Sequence, residues 1–344
     1  MEAGRRRTIR VGGLLLFLLL FLGGVLGSIA FGSRSIPLGD VITALSSWSS
    51  WDPSPLDPSI DQHIIVDLRI PRTVLAVAVG AALGTAGALL QGHTRNPLAD
   101  PGLLGISAGA ALAVVTGFSV FGVTSTWATS IWAFTGAISS TAIVFTLSSI
   151  GGGRLNPLNV ILSGAALSAV LMSITSSIIL TNRASLAHLR QWTVGALDGR
   201  DLSVALGVLP FIAVGLIGAF ATGPHLNLLT MGDDVALSLG INTQRARFIG
   251  MCLIALLSGA ATAAAGPLGF VALLVPHIAR SLTGPDFRWL LPYSALIGIN
   301  LLLYADILGR LIARPAEVQV GIMMAFVGAP FFIALISRRR VLKL

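Results

Sequence analysis

Arg69-Ile70-Pro71-Arg72, the apolar run Thr73 to Leu90, and the turn Gln91-Gly92-His93-Thr94-Arg95-Asn96-Pro97-Leu98-Ala99-Asp100-Pro101-Gly102-Leu103-Leu104-Gly105 decide how this chain folds. A charged boundary leads into a run close to the roughly 20 apolar residues that a helix needs to cross a bilayer. A polar turn punctuated by prolines follows, and a new apolar run then begins. This spacing predicts a helical hairpin through a membrane.

Composition extends that reading to the whole chain. Apolar residues make up 54% of the 344 and charged residues only 10%, with a mean hydropathy of +0.88. Soluble domains carry about 25% charged residues, so this chain is expected to be an all-α, polytopic membrane protein. The apolar runs give ten spans, at about 11–31, 73–92, 102–122, 127–149, 158–180, 203–222, 248–267, 269–283, 292–312 and 320–337. The span at 269–283 is short, and Pro267 and Pro276 suggest a broken or tilted helix. Val11 to Phe31 exceeds the 7–15 residues of a signal-peptide core, so it is read as a retained first span.

Basic residues orient the spans. With the N-terminus in the cytoplasm, fourteen Lys and Arg fall on inside connections and eight outside, as the positive-inside rule requires. Both termini are then cytoplasmic. The formal charge of +8 follows from topology and gives no reason to invoke nucleic acid. The long outer connection, 32–68, carries Trp48 and Trp51 and is expected to lie along the outer surface, its tryptophans near the lipid headgroups.

Several chemistries are excluded. Lys343 is the only lysine, so no phosphate-binding P-loop, which requires a lysine after its glycines, can be built. Any ATP hydrolysis belongs to another polypeptide. Cys252 is the only cysteine, and His63, His93, His188, His225 and His277 show no ligand-like spacing; no metal site or cofactor is expected. Carriers driven by ion gradients keep charges in mid-membrane despite a cost of about 2.5–3.5 kcal/mol on insertion scales. The nearest candidate here is Asp306, placed by the i, i+4 spacing on one helix face with Arg310, which reads as an ion pair near the outer end.

In place of charge the spans offer small residues: Gly80, Gly84 and Gly87; Gly105 and Gly109; Gly136, Ser139 and Ser140; Ser163 and Gly164. Close helix packing explains them, and so would a smooth pathway. A faint internal echo relates Ala88-Leu89-Leu90-x-Gly92 and Pro101-Gly102-Leu103-Leu104-Gly105 to Ala255-Leu256-Leu257-x-Gly259 and Gly266-Pro267-Leu268-Gly269-Phe270. The two copies lie on spans of opposite direction, as in an inverted repeat; chance similarity in Ala/Leu/Gly-rich helices explains it equally well.

The cytoplasmic connection 223–247 reads as a structured loop. Thr230-Met231-Gly232-Asp233 fits a capping box, and Asp233 and Asp234 suit the first turn of a helix. Ala236, Leu237 and Leu239 follow, Gly240 ends the helix, Ile241 comes next, and Asn242 can cap the helix beyond. Leucines on a structured loop suggest a docking surface.

The segments Arg69 to Gly105, Leu228 to Asn242, Gly269-Phe270-Val271-Ala272-Leu273-Leu274-Val275-Pro276-His277-Ile278-Ala279-Arg280, and Asp306-Ile307-Leu308-Gly309-Arg310 with Gly328-Ala329-Pro330-Phe331-Phe332 together resemble the FecCD family, the permease subunits of bacterial importers for iron complexes, haem and cobalamin. The similarity runs from about residue 69 to the end. It implies a single permease domain over 1–344 in the bacterial plasma membrane, paired with a second permease subunit as a homodimer or heterodimer. It also implies cytoplasmic ATPase subunits that meet Asp233, Asp234, Ala236, Leu237, Leu239, Gly240 and Ile241, and a substrate-binding protein whose carboxylates meet Arg69, Arg72 and Arg310 outside. After Gln191-Trp192-Thr193-Val194-Gly195 many relatives place a serine; this chain has Ala196. The resemblance implies ferric siderophore as cargo, with haem or cobalamin as alternatives. An ATP-independent carrier or channel is the rival class.

Overall fold

The computed structural model describes residues 2–48, 60–149 and 157–339, all of it helix and connection with no strand among those residues. Trp51 and Arg154 lie outside them, as does the side chain of Trp48. The first span is α1 (Glu2–Ala30). The first far connection holds α2 (Leu38–Trp48) and α3 (Ile60–His63), which runs through a π-helical turn, Ile64–Arg69, into α4 (Ile70–Thr94). A 3₁₀ turn at Pro101–Leu104 precedes α5 (Ile106–Phe121). Then come α6 (Thr126–Ser149), α7 (Pro157–Thr181), α8 (Arg183–Thr193), α9 (Leu202–Thr230), α10 (Asp233–Ser238), α11 (Thr243–Ala265), α12 (Val271–Thr283), α13 (Phe287–Ile312) and α14 (Val320–Arg339). Seven described helices are long and apolar enough to cross a membrane, and α5, α12 and α14 are shorter apolar helices. These ten elements stand where the ten apolar runs put spans. We call the end where α1 begins the near end and the other the far end.

Helix α4 is the axis of the bundle, buried along nearly its whole length between α9, α11, α12 and α13. Small residues make this contact. A Cβ on Gly80 would overlap the Gly298 backbone, one on Gly84 the Ser294 carbonyl, and one on Gly87 the Ala272 carbonyl. Gly109 and Gly136 do the same between α5 and α6, and Gly164 lies under the Leu103 carbonyl. These glycines set backbone approach; the pathway reading does not hold for them. Around them Leu75, Leu89, Leu90, Ile254, Leu257, Leu290 and Leu302 form one continuous apolar core. Helix α1 is held along α13 by polar bonds as well: Asn300 Nδ2 donates to the Phe17 carbonyl (3.1 Å), and the Tyr304 hydroxyl to the Leu20 carbonyl (2.9 Å).

Three expectations need correction. Span six does not stop near 222: α9 continues through Gly223 and Pro224 to Thr230. Proline removes only one backbone bond, and the extension is anchored by Asn227, whose side chain donates to Asp286 (2.7 Å) and accepts from the Phe287 N–H (2.8 Å). The 223–247 connection is therefore helical at its start. The capping box also fails. Thr230 lies inside α9 and donates to the Asn227 carbonyl, while Gly232 (φ 128°) caps α10 without a side-chain bond. Finally, the third apolar run starts its α-helix at Ile106 rather than 102, after a break in the membrane-spanning direction.

That break and its counterpart shape the interior. Ser140 Oγ donates to the Gly105 carbonyl (2.8 Å), and Ser140 is nine residues short of the near end of α6. At 1.5 Å per residue, α5 starts about 13 Å in from the near end, and residues 95–105 climb back to reach it. Helix α12 is the inverse. Phe270 packs on Gly328, eight residues below the far end of α14, or about 12 Å deep. The two echoing segments, Pro101–Gly105 and Pro267–Phe270, thus each precede a short helix starting inside the bundle, and the helices run in opposite directions.

Candidate functional site

At the far end, the π-helical turn before α4, α4 itself and α13 bring Arg69, Arg72 and Arg310 together under the end of α1. All three are buried, with relative exposures of 4%, 7% and 2%, and Asp306 is 1% exposed. Arg69 donates to the carbonyls of Ile29 (2.7 Å), Ala30 (2.8 Å) and Arg34 (2.6 Å). Arg310 donates to the carbonyls of Ser28 (2.9 Å) and Phe31 (3.1 Å), and Arg314 to that of Gly32 (2.8 Å). The last carbonyls of a helix have no partner within it and carry the negative end of its dipole; here guanidinium groups supply both needs. Asp306 sits between Arg72 (2.7 Å) and Arg310 (3.0 Å). The i, i+4 pair read from the sequence is thus half of a bridge between α4 and α13.

Arg72 also pairs with Glu317, which accepts from Ser33 Oγ at 2.8 Å. Burial by itself would raise the Glu317 carboxyl; the Arg72 hydrogen bond and charge, helped by Ser33 and Arg310, outweigh it and hold the carboxyl below its usual range. Both acidic members of the cluster were legible as residues in the sequence, yet Glu317 was not singled out there. Its position before α14 gives no signal until the chain folds back. With their donors engaged inside the fold, the three arginines do not stand open to a partner's carboxylate. Arg34 and Arg314 are the exposed cations of this rim.

In the interior, a cavity of about 130 Å³ lies where the two short helices start. Asp100, Gly102 and Ser107 line it from the α5 side, Leu268, Gly269 and Ala272 from the α12 side, and Ser258 and Thr262 from α11. Asp100 caps the 3₁₀ turn by accepting from the Gly102 N–H (2.8 Å). Farther out, the end of α8 packs on the start of this connection: the Ala196 N–H donates to the Ala265 carbonyl (2.8 Å), and Gly195 (φ 75°) lies against the Pro267 carbonyl. Ala196 is buried there. Helix α8 itself was missed in the sequence, because its mixed polar face hides it among connections; Asn182 marks its start, accepting from Ala184 and Ser185.

At the near end, α10 projects between α9 and α11. Leu237 and Leu239 are 50% and 59% exposed, and Val235 and Asp234 are exposed beside them. Ala236 is buried and Ile241 half-buried; both hold the helix from beneath, the Ile241 N–H donating to the Ala236 carbonyl (3.0 Å). Gly240 (φ 82°) ends the helix and Asn242 caps α11 through the Arg245 N–H (3.0 Å), as read from the sequence. Asp233 does more than sit on a dipole. It accepts from Arg247 on α11 at 2.8 and 2.9 Å, and from Arg95 at the end of α4.

Residues 16–338 match the FecCD transport family. The chain belongs to that family. Among relatives, this FecCD chain is 42% identical to the ferric enterobactin transport system permease protein FepD of Escherichia coli, over 97% of this chain and 96% of that one. It is 41% identical to the hemin transport system permease protein HmuU of Yersinia pestis, covering 98% of each. It is 40% identical to the Fe(3+)-citrate import system permease protein YfmD of Bacillus subtilis, covering 99% of each. A solved chain described as an inward-facing metal-chelate type ABC transporter superposes with a TM-score of 0.81 at 26% identity, covering 94% of this chain and 98% of that one. The FecCD chain is therefore a multi-pass permease subunit of an ABC importer, and the reading as an ATP-independent carrier or channel is set aside.

Proposed function

We propose that this FecCD permease imports a ferric siderophore, with two copies, or this chain and a related one, enclosing a pathway in the plasma membrane. A substrate-binding protein delivers cargo at the far end, and cytoplasmic ATPase subunits drive alternating access from the near end, where both termini lie. Haem import by the same architecture is the second reading, favoured by the similarity to a hemin permease.

The observation that carries the proposal is α10. It presents Val235, Leu237 and Leu239 beyond the near end of the bundle, while Asp233 ties its base to two arginines on other elements. A helix fixed in this way suits a groove on a moving partner, and the preceding Asp233 and Asp234 keep it soluble until assembly. The pathway reading draws on α7. Its exposed residues mix Asn159, Ala166, Ala169, Ser173, Ser176 and Ser177 with Leu162, Val170, Met172 and Leu180, and Ser173 and Ser177 donate back to carbonyls one turn earlier. We read this exposed helix, with its small hydroxyl residues among apolar ones, as a face for a second permease subunit and passing cargo. At the far end, we assign the binding-protein contact to the exposed Arg34 and Arg314, with Arg69, Arg72 and Arg310 fixing the rim beneath them.

The test is uptake by a strain lacking its own permeases and expressing this chain with its ATPase and binding protein. Labelled ferric enterobactin, ferric citrate and haemin are run in parallel, with and without Leu237→Asp/Leu239→Asp. Uptake of a ferric siderophore that the double substitution abolishes supports the proposal; uptake of haemin alone reassigns the cargo, and uptake that survives the substitution removes the coupling role of α10.

A further inference from the structure

Arg95 occupies an unusual place. It is the residue that ends α4 and begins the climb back into the bundle, and its backbone is left-handed, at φ 51°. A non-glycine residue there is uncommon, and Arg95 and Phe270 are the two among the described residues. Both stand at the breaks that frame the interior cavity, Arg95 before residues 96–105 and Phe270 immediately before α12. Arg95 caps the end of α4, its N–H donating to the Gly92 carbonyl, and its side chain is partly exposed. It is held by polar bonds to another part of the protein. Its Nε donates to the Leu229 carbonyl at 3.0 Å, a second nitrogen donates to the same carbonyl, and that nitrogen also meets Asp233.

These partners are the last turn of α9 and the first residue of α10. Arg95 thus joins the base of the leucine-presenting helix to the segment that carries the start of α5. That start is in turn engaged with α6 through the Ser140–Gly105 bond (2.8 Å) and with α7 through the contact of Leu103 on Gly164. Arg247 binds the same carboxylate from α11, so Asp233 is the fork at which a displacement of α10 divides between two elements.

We propose that Arg95 is the positioning residue that conveys movement of α10 to the re-entrant segment 96–105 and through it to α7. The proposal rests on the reading of α10 as the ATPase contact. A charged side chain suits this task better than an apolar contact. Its guanidinium grips a carbonyl and a carboxylate at fixed angles, so pulling on α10 pulls on Arg95, whereas packed leucines would slide. The Leu229 bond keeps Arg95 in register with α9, and the Asp233 bond adds α10 to the same group.

The experiment uses the assembled complex with its ATPase subunits, in a C252S background because the native thiol is exposed. Ser173→Cys on the open face of α7 serves as reporter, labelled with a membrane-impermeant maleimide with and without ATP. In the parent complex, ATP should change the labelling rate at least threefold. Arg95→Ala should keep the ATPase subunits bound and hydrolysing within about twofold of the parent, yet reduce the ATP-dependent change in labelling at least tenfold. Arg95→Gln, which can still bond the Leu229 carbonyl but carries no charge, should behave like Ala and serves if the Ala variant fails to fold. Arg95→Lys should restore at least half of the response. A parent complex indifferent to ATP would overturn the coupling reading of α10 and this proposal with it. A responsive parent matched by equally responsive Ala and Gln variants overturns only the role of Arg95. Loss of the ATPase subunits from folded Ala and Gln variants overturns it too, by making Arg95 part of the assembly surface.

Discussion

Replacing Asp306 by alanine would separate a structural from a docking role for the far-end arginines. The carboxylate is 1% exposed and holds two guanidinium groups that are themselves 7% and 2% exposed. Removing it takes away contacts of 2.7, 2.8 and 3.0 Å to Arg72 and one of 3.0 Å to Arg310. Breaking a buried pair by deleting one partner costs about 3–5 kcal/mol, because a charge is left without compensation. The lower part of that range applies: Arg72 keeps Glu317, and Arg310 keeps the Ser28 and Phe31 carbonyls. We expect a loss of about 3 kcal/mol, near the lower bound for such pairs. By contrast Arg34–Asp61, with Arg34 55% exposed, is a surface pair worth about 0–1 kcal/mol, so Asp61→Ala is the control. The assay is the thermal midpoint of the detergent-purified permease, followed by fluorescence-detected gel filtration. Asp306→Ala should lower the midpoint by several degrees more than Asp61→Ala and should loosen α1, seen as faster proteolysis between α1 and α2. Equal midpoints for the two variants, with cargo uptake lost only in Asp306→Ala, would refute the structural account and return these arginines to the docking surface.

Leu237→Asp/Leu239→Asp should abolish co-purification of the ATPase while the permease still inserts and runs as a folded species on gel filtration. Gly87→Val should prevent a folded permease from accumulating, because the added side chain meets the Ala272 backbone, whereas Gly12→Ala, with nothing within 4 Å of the new Cβ, should be neutral or gain about 0.5–1 kcal/mol from helix propensity. The depressed Glu317 carboxyl makes one far-end tie acid-sensitive. Its folded pKa lies below its unfolded one, so the stabilisation is complete above the ordinary glutamate range and is lost as pH falls through the lowered value. Thermal midpoints should therefore hold between pH 7 and 5 and fall below that range, and Glu317→Gln should remove the Glu317 share of the fall. A binding protein for a different siderophore, given the native docking surface, should redirect uptake with no change in this chain; stimulated ATP hydrolysis without uptake of the new cargo would show a selective site in the permease.

The class and the order of the membrane spans were legible in the sequence alone. Apolar runs near bilayer length must be helical, since hydrocarbon offers no partner for backbone polar groups, and the ten runs stand where the described helices stand. Asn242 and Gly240 were legible as cap and stop because those roles are local: each depends on its own backbone and the next few residues. What the sequence left open depends on contacts between distant segments. A boundary arginine has the same local pattern whether it anchors to lipid, faces a partner or turns inward. Only the approach of α1 and α13 to α4 shows that Arg69, Arg72 and Arg310 are spent inside the fold. Thr230 matched a capping box, but the decision lay with Asn227, which fastens α9 to the start of α13 and carries the helix past the proposed cap. The glycines of α4 were compatible with packing or with a pathway until the backbones of α12 and α13 were found against them. The depth at which α5 and α12 begin was likewise invisible, because a polar turn reads alike at the membrane surface and inside a bundle. The packed helices around Pro101–Gly105 and Pro267–Phe270 supply the partners that let irregular backbone exist at that depth.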